Sequence, residues 1–510
     1  MKPVANQAYW KELASEELKE ALQVKWNTNT AKNVILFVGD GMGPNTVTAT
    51  RIYKGGESHK LVYEKFPHVG LLKTYSANKM VPDSACTATA LFCGVKVNQE
   101  TIGVDATVKH RDCIASLNPE ARLKSLAAIA LEAGKRAGLV TTMRVTHATP
   151  APMYAHSADR KWECDGKMPA AALATKGCKD HARQLIEDWP GRDLHVIMGG
   201  GRQVLVSNVT NSSADPYDSS RWGCFRKDGR DLIETYRKDK ERRTLKYSIV
   251  TNNKELKALD EKNTDYLLGI FANGHLNFEY QRDKGPAGSP SLSEMVEAAI
   301  KVLRQSKTGY FLMVEGGNID MAHHRGRAKT AVDEAAAMED AVRRTLELTE
   351  EKDTLLLVTS DHTHTLSING YPLRGTNIFG IAAKSPYDGL TYTTLSYGTG
   401  GPGSFQYEVV AERVIRKAPS YNDTDSFEYQ QVAAITLEEN SHGGGDVVIY
   451  ARGPHAHLFH NVHEQHYVYH AISYAAKIGA HSGAPPRATA KLSSIAAYII
   501  FIAVWLDSLV

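Results

Sequence analysis

The chain has 510 residues, 42% of them hydrophobic and 23% charged, and 60 Lys and Arg against 57 Asp and Glu leave a net charge of +3. These proportions exclude a collagenous, coiled-coil, disordered or polytopic membrane chain, and so even a charge balance gives no expectation of nucleic-acid binding. The 20 histidines raise the question of a metal, whereas 6 cysteines are too few to staple a chain of this length.

Residues 1–9 carry no basic stretch followed by an apolar one, so no signal peptide is visible. Trp10–Val24 reads as an amphipathic, charge-paired helix ahead of the first strand, an N-terminal arm within residues 1–28. Apolar runs then alternate with longer helical patterns, which predicts an α/β fold with a large, mostly parallel central sheet and helices on both faces. Buried strands are expected at Asn33–Val38, Gly138–Met143, Leu194–Met198, Tyr310–Val314, Thr354–Thr359 and Asp446–Tyr450. Helices are expected at Leu123–Lys135, Ser291–Arg304, Lys329–Leu348 and His463–Lys477. Gly370–Glu439, rich in Gly, Tyr and Ser, breaks this rhythm and reads as an inserted lobe, leaving 29–369 and 440–480 as the core.

The C-terminal stretch 481–510 has its own pattern. The small residues Ser482-Gly483-Ala484 precede a polar spacer, Pro485–Ser494, and an apolar run from Ile495 to Leu506. Those are the three parts of a lipid-anchor attachment signal, with Ser482 as the acceptor, and the run is short for a bilayer span. The alternative is a terminal helix docked on the core.

Ligands of open α/β sheets gather at the carboxyl ends of strands. Several expected strands here end in metal-type residues: Asp40 in VGDGMG, Glu315 and Asp320 in VEGGNID, then His323 and His324. Asp361, His362 and His364 follow in TSDHTH, and His442 stands in SHGGGD. Each alone reads equally as a helix cap or a satisfied core residue. Four strand ends converging with oxygen and imidazole donors suit Zn²⁺ in mixed shells and Mg²⁺ in all-oxygen ones.

In VPDSACTATALFC, Ser84 opens a helix, where the dipole and free N–H groups favour an anion. No G-x-S-x-G elbow or Ser/His/Asp triad accompanies it, so activation is expected from a metal. The competing reading of Asp83-Ser84 is a plain helix cap. Arg160, in HATPAPMYAHSADR, is the candidate bidentate clamp for a tetrahedral oxyanion, its alternative being a surface ion pair.

In this order, VGDGMG, PDSACTATA, HATPAPMYAHSADR, EGGNIDMAHH, TSDHTH and SHGGGD closely resemble the animal-type alkaline phosphatases, from about Trp10 to Ala476. The resemblance implies a homodimeric phosphomonoesterase with a three-layer sandwich, a crown-type inserted lobe, and two zinc ions and one magnesium ion per subunit. By position, Asp320, His324 and His442 would hold the first zinc, and Asp40, Asp361 and His362 the second, beside Ser84. Magnesium would take Asp40, Thr149 and Glu315, and Arg160 would bind phosphate. His147, His323 and His364 would support these ligands. The implied mechanism is a double displacement through a phosphoserine at Ser84. Vertebrate members carry His where this chain has Met321, and acidic calcium ligands where it has Ala272 and Ser289, so no calcium site is expected there.

Cys113 and Cys178 align with a family disulfide, leaving Cys164 and Cys224 as a second possible pair and Cys86 and Cys93 as thiols. Asn208, Asn211 and Asn422 open N-x-S/T sequons. Together with the tail, these imply a GPI-anchored enzyme on the extracellular face of the plasma membrane. The competing readings are a phosphodiesterase, sulfatase or phosphomutase on the same metal core, and a catalytically silent zinc-binding surface glycoprotein. Ligand histidines must be neutral to bind metal, so turnover should rise into alkaline pH. A pH–rate profile peaking below about pH 6 would contradict the metal assignment.

Overall fold

The computed structural model describes residues 6–219, 221–420 and 423–483. A sheet of ten strands runs through the core: β1 (Asn33–Gly39), β2 (His68–Lys73), β3 (Arg136–Arg144), β4 (Val196–Gly200), β5 (Tyr247–Val250), β6 (Tyr266–Ile270), β7 (Tyr310–Gly316), β8 (Thr354–Thr359), β9 (Val447–Arg452) and β10 (Asn461–Glu464). Their order across the sheet is β10-β2-β9-β8-β1-β7-β3-β4-β6-β5. β9 is antiparallel to both neighbours, β8 and β2, and every other pair is parallel.

The principal helices are α1 (Gln7–Leu22), α2 (Pro44–Gly55), α3 (Ser84–Cys93), α4 (Leu126–Glu132), α5 (Leu292–Leu303), α6 (Asn318–His324), α7 (Ala328–Leu348) and α8 (Tyr467–Ala476). Alternation along β1 divides the core into two layers. Val34, Leu36 and Val38 meet α3, α4 and α8 on one face, whereas Ile35 and Phe37 meet α5 and α7 on the other. A strand buried on both faces is apolar throughout, which is why β1, β7 and β8 stand out in the sequence.

Other elements depart from expectation. His463–Lys477, expected as one helix, divides into β10 and α8, because residues 461–464 pair in parallel with the free edge of β2. α4 is shorter than Leu123–Lys135: Ser125 caps its start by accepting from the Ala128 N–H at 3.1 Å, and Gly134, at φ +73°, follows its end. β2 gave no strand signal because its alternation is inverted, with Val69 and Leu71 outward and His68 inward.

α1 buries none of its residues and reaches the body through the Glu17–Lys60 ion pair, as suits an arm. The stretch expected as an inserted lobe is β-rich, and Leu366–Ile368, just before it, pairs with Leu395–Gly400. Leu366, Phe379, Leu395 and Tyr397 bury against Ala49 of α2 and Ala328 and Val332 of α7.

Disulfides join Cys113 to Cys178 and Cys164 to Cys224, with Cα separations of 6.2 and 5.9 Å, and Cys86 and Cys93 are buried thiols. Asn208, Asn211 and Ser482 are exposed. Asn422 and residues 484–510, with most of the anchor signal, lie outside the described residues. Among those described, no helix is long and apolar enough to cross a membrane.

Candidate active site

β1 lies between β7 and β8, and Val38 is level with Glu315 on one side and Thr359 on the other. This register brings Asp40, Glu315 and Asp361 to one edge of the sheet. Gly41 follows Asp40 at φ +68°, donating its N–H to Asp361 Oδ1 at 3.0 Å. A Cβ there would sit 2.6 Å from the His364 ring, so both conformation and space require glycine.

α6 supplies the next donors. Asp320 and His324 are i, i+4 on this short helix, with Oδ2 and Nε2 3.4 Å apart. His364 Nε2 lies 2.6 Å from Asp320 Oδ1, and His442 Nε2 lies 3.1 Å from His324 Nε2. Asp320, His324, His364 and His442 therefore present donor atoms within 4.8 Å of one another. Asp40, Asp320 and His362 form a second such group, and Asp40, His147 and Glu315 a third. His364, expected to support the ligands, meets Asp320 within the first group.

The histidines are held in one tautomer. Nδ1 of His324 meets Asn440 O at 2.7 Å, His442 meets Pro82 O at 2.9 Å, His362 meets Thr363 O at 3.2 Å, and His364 meets Asn440 Oδ1 at 2.6 Å. A carbonyl can only accept, so each Nδ1 carries a proton and each Nε2 faces the cluster, the orientation of metal-binding histidines. His323 points elsewhere, to Tyr397 Oη at 2.7 Å and Thr46 Oγ1 at 2.9 Å.

Asp361 stands beside the second group, with Oδ2 3.3 Å from His362 Nε2 and accepting from Thr87 Oγ1. Thr149 Oγ1 donates to Asp40 Oδ2 at 3.1 Å. Asp40 Oδ1, Glu315 Oε1 and His147 Nδ1 are buried without hydrogen-bond partners. Burial, and then the charges of Asp361 and Asp320, hold Asp40 well above the usual carboxylate range. Burial likewise pushes Glu315 up to about 8, with Asp361 adding to it. Asp320 goes the other way: burial opposes its charge, but His324 and His364 hold it well below that range. Orphaned oxygens, crowded carboxylates and aligned imidazole lone pairs fit divalent cations.

Ser84 is the first residue of α3, and its Oγ lies 3.2 Å from His362 Nε2. Asp83 caps the helix by accepting from the Cys86 N–H at 3.3 Å, as the capping reading expects. Asp83 Oδ2 also accepts from Arg160 Nη1 at 2.9 Å, anchoring the guanidinium to the helix that Ser84 begins. Burial works against charge on Asp83, yet Arg160 keeps it below its ordinary value.

Two contributors carry no signal in the sequence. Asn440 orients two histidines at once. Arg144, fully buried at the end of β3, donates to Glu163 at 2.7 and 2.9 Å, to Asp218, and to the Trp222 carbonyl at 3.0 Å, with His275 Nε2 2.9 Å away. The His275 ring in turn stands edge-on to His147, centroids 5.2 Å apart. Neither Asn440 nor Arg144 lies in a recognisable motif.

Fold and site together define an α/β enzyme whose clustered carboxylates and imidazoles fit divalent cations. The family profile described as alkaline phosphatase matches residues 31–478, and the chain belongs to that family, whose reaction is the hydrolysis of phosphate monoesters. It is 46% identical over 498 residues to the human tissue-nonspecific isozyme of alkaline phosphatase, covering 95% of this chain and 92% of that one. The Gadus morhua alkaline phosphatase is 45% identical over 480 residues, covering 92% and 97%. Among solved structures, alkaline phosphatase from the Antarctic bacterium TAB5 shares the fold, with a TM-score of 0.60 at 22% identity over 89% of this chain and 99% of that one. The Thermus thermophilus enzyme has a TM-score of 0.60 at 24% identity, covering 88% and 92%.

The crowded carboxylates give a sign to metal removal. Asp40 and Glu315 are raised in the folded chain, so with no cation present they cost nothing while protonated and destabilise as pH rises, for Glu315 from its ordinary 4.5 to about 8. Chelation should therefore lower the melting temperature more at pH 9 than at pH 5. A fall of equal size at both pH values, followed by calorimetry, would contradict the cluster's electrostatics.

Proposed function

We propose that the chain hydrolyses phosphate monoesters by two successive displacements at Ser84, with two zinc ions and one magnesium ion held by the clustered groups. The observation that carries this reading is the convergence of four histidines, each with Nδ1 on a carbonyl, upon buried carboxylates beside Ser84. Asp320, His324 and His442 would hold one zinc, with His364 against Asp320, and Asp40, Asp361 and His362 the other. Asp40, Thr149 and Glu315, with His147 near, would hold magnesium. When bound, such ions supply positive charge to the reacting oxygens and favour the serine alkoxide.

The chain's own residues account for the rest. Ser84, at the positive end of α3, attacks phosphorus while the ester oxygen departs in line, giving a phosphoserine and the free alcohol. Water then cleaves the phosphorus–oxygen bond to Ser84, releasing inorganic phosphate and restoring the hydroxyl. Arg160, fixed by Asp83, pairs its remaining N–H groups with the phosphoryl oxygens through both displacements. Asn440 and Pro82 hold the imidazoles in register, so little reorganisation accompanies the reaction.

The reading extends to the cell surface: a homodimer, glycosylated at Asn208, Asn211 and Asn422 and joined to the outer membrane face by a GPI anchor at Ser482. Exposure of Asn208, Asn211 and Ser482, the two disulfides, and the small-residue triplet with its apolar tail support it.

Ser84→Ala should lower kcat on p-nitrophenyl phosphate by at least about a thousandfold, with bound zinc and magnesium unchanged by elemental analysis. Retained turnover, or a wild-type preference for the diester or sulfate analogue, would overturn the proposed chemistry.

A further inference from the structure

Next to the metal cluster lies a pocket of about 270 Å³, walled by Trp222, His275, Leu276, Phe278, Met321 and Arg325. Three of its walls lie beside the cluster. Met321 follows Asp320 in α6, the Trp222 ring lies 6.4 Å from the His324 ring, and the His275 ring stands edge-on to His147. Ser84, by contrast, lies against His362 in the neighbouring group. An in-line displacement expels the leaving oxygen away from the attacking one, which on the reading above turns it from Ser84 towards the His324 group beside this pocket.

The lining has a definite chemistry. Trp222, Leu276, Phe278 and Met321 offer apolar and aromatic surface. The pocket's carboxylate, Asp218, is committed to Arg144 and accepts from the His275 N–H at 3.1 Å. Arg325 is different. Its guanidinium lies 5.0 Å over the Phe278 ring, and it pairs with no carboxylate among the described residues, although the neighbouring Arg327 pairs with Glu428 at 2.6 Å. Beside that aromatic surface, a cation with no direct ion pair, on which Asp218 and Glu428 act only at longer range, favours an aromatic group bearing a negative charge. A volume of about 270 Å³ suits one substituted ring and is small for a nucleoside.

We propose that this pocket binds the alcohol portion of the substrate and selects phosphate esters of aromatic alcohols that carry a second anionic group. The inference rests on the phosphomonoesterase reading of the site. The test uses the metal-loaded full-length enzyme and three substrates: glycerol 2-phosphate, phenyl phosphate and 4-carboxyphenyl phosphate. Arg325→Gln should lower the kcat/KM ratio of 4-carboxyphenyl over phenyl phosphate by about tenfold, and Trp222→Leu the ratio of phenyl over glycerol phosphate by about fivefold. Ratios that stay at their wild-type values, or losses shared equally by all three substrates, would overturn the pocket assignment. Should a variant fail to fold, product inhibition of the wild-type enzyme decides: 4-hydroxybenzoate should inhibit at about tenfold lower concentration than phenol, and equal inhibition would overturn it. Failure of the wild-type enzyme to turn over any of the three would instead overturn the phosphatase reading.

Discussion

Asp40, Glu315, Asp320 and Asp361 share one buried corner of the protein, and most of the surrounding structure answers to their mutual repulsion. Like charges out of water raise one another's pKa unless positive charge is supplied. The described fold supplies part of it through His324, which Asp320 raises to about 9 against the effect of burial, and through Arg160 on Asp83. Asp40 Oδ1 and Glu315 Oε1 remain without hydrogen-bond partners, and the imidazoles of His364 and His442, which burial keeps neutral, add no positive charge. A site with that imbalance is built around cations, and the protein's task is to keep the donors apart, aligned and dry.

The scaffold does this with short, stiff connections. Asp40, Glu315 and Asp361 leave adjacent parallel strands within a few residues of their ends, so the register of β1 with β7 and β8 sets their spacing. One turn of α6 sets that of Asp320 and His324. His364 and His442 come together through a brief antiparallel pairing of Thr363-His364 with His442-Gly443. Leu366, directly after that pairing, packs the inserted lobe onto α2 and α7, and Tyr397 of the lobe reaches back to His323. The lobe is thus coupled to the cluster by packing and by a hydrogen bond.

How much of this is legible in the sequence depends on where each signal lies. β1, β7 and β8 are continuous apolar runs ending in acidic residues, and that combination exposes both the sheet and the cluster at its edge. Ser84 is legible because Pro82 and Asp83 mark a helix start before a run of small residues. β2 and β10 are not, since outward Val69 and Leu71 invert the usual alternation and a strand of four residues with His463 carries no period. Asn440 and Arg144 each act through partners far away in sequence. The contact of His364 with Asp320 is not legible either, because two residues of spacing from His362 do not say which way a strand end turns.

The most direct test of the central claim is the metal content of the purified protein by elemental analysis, with turnover followed through chelation and restoration. The account predicts two zinc ions and one magnesium ion per chain, with activity lost on chelation and recovered when both metals return. Full activity in a protein stripped of divalent cations would contradict it.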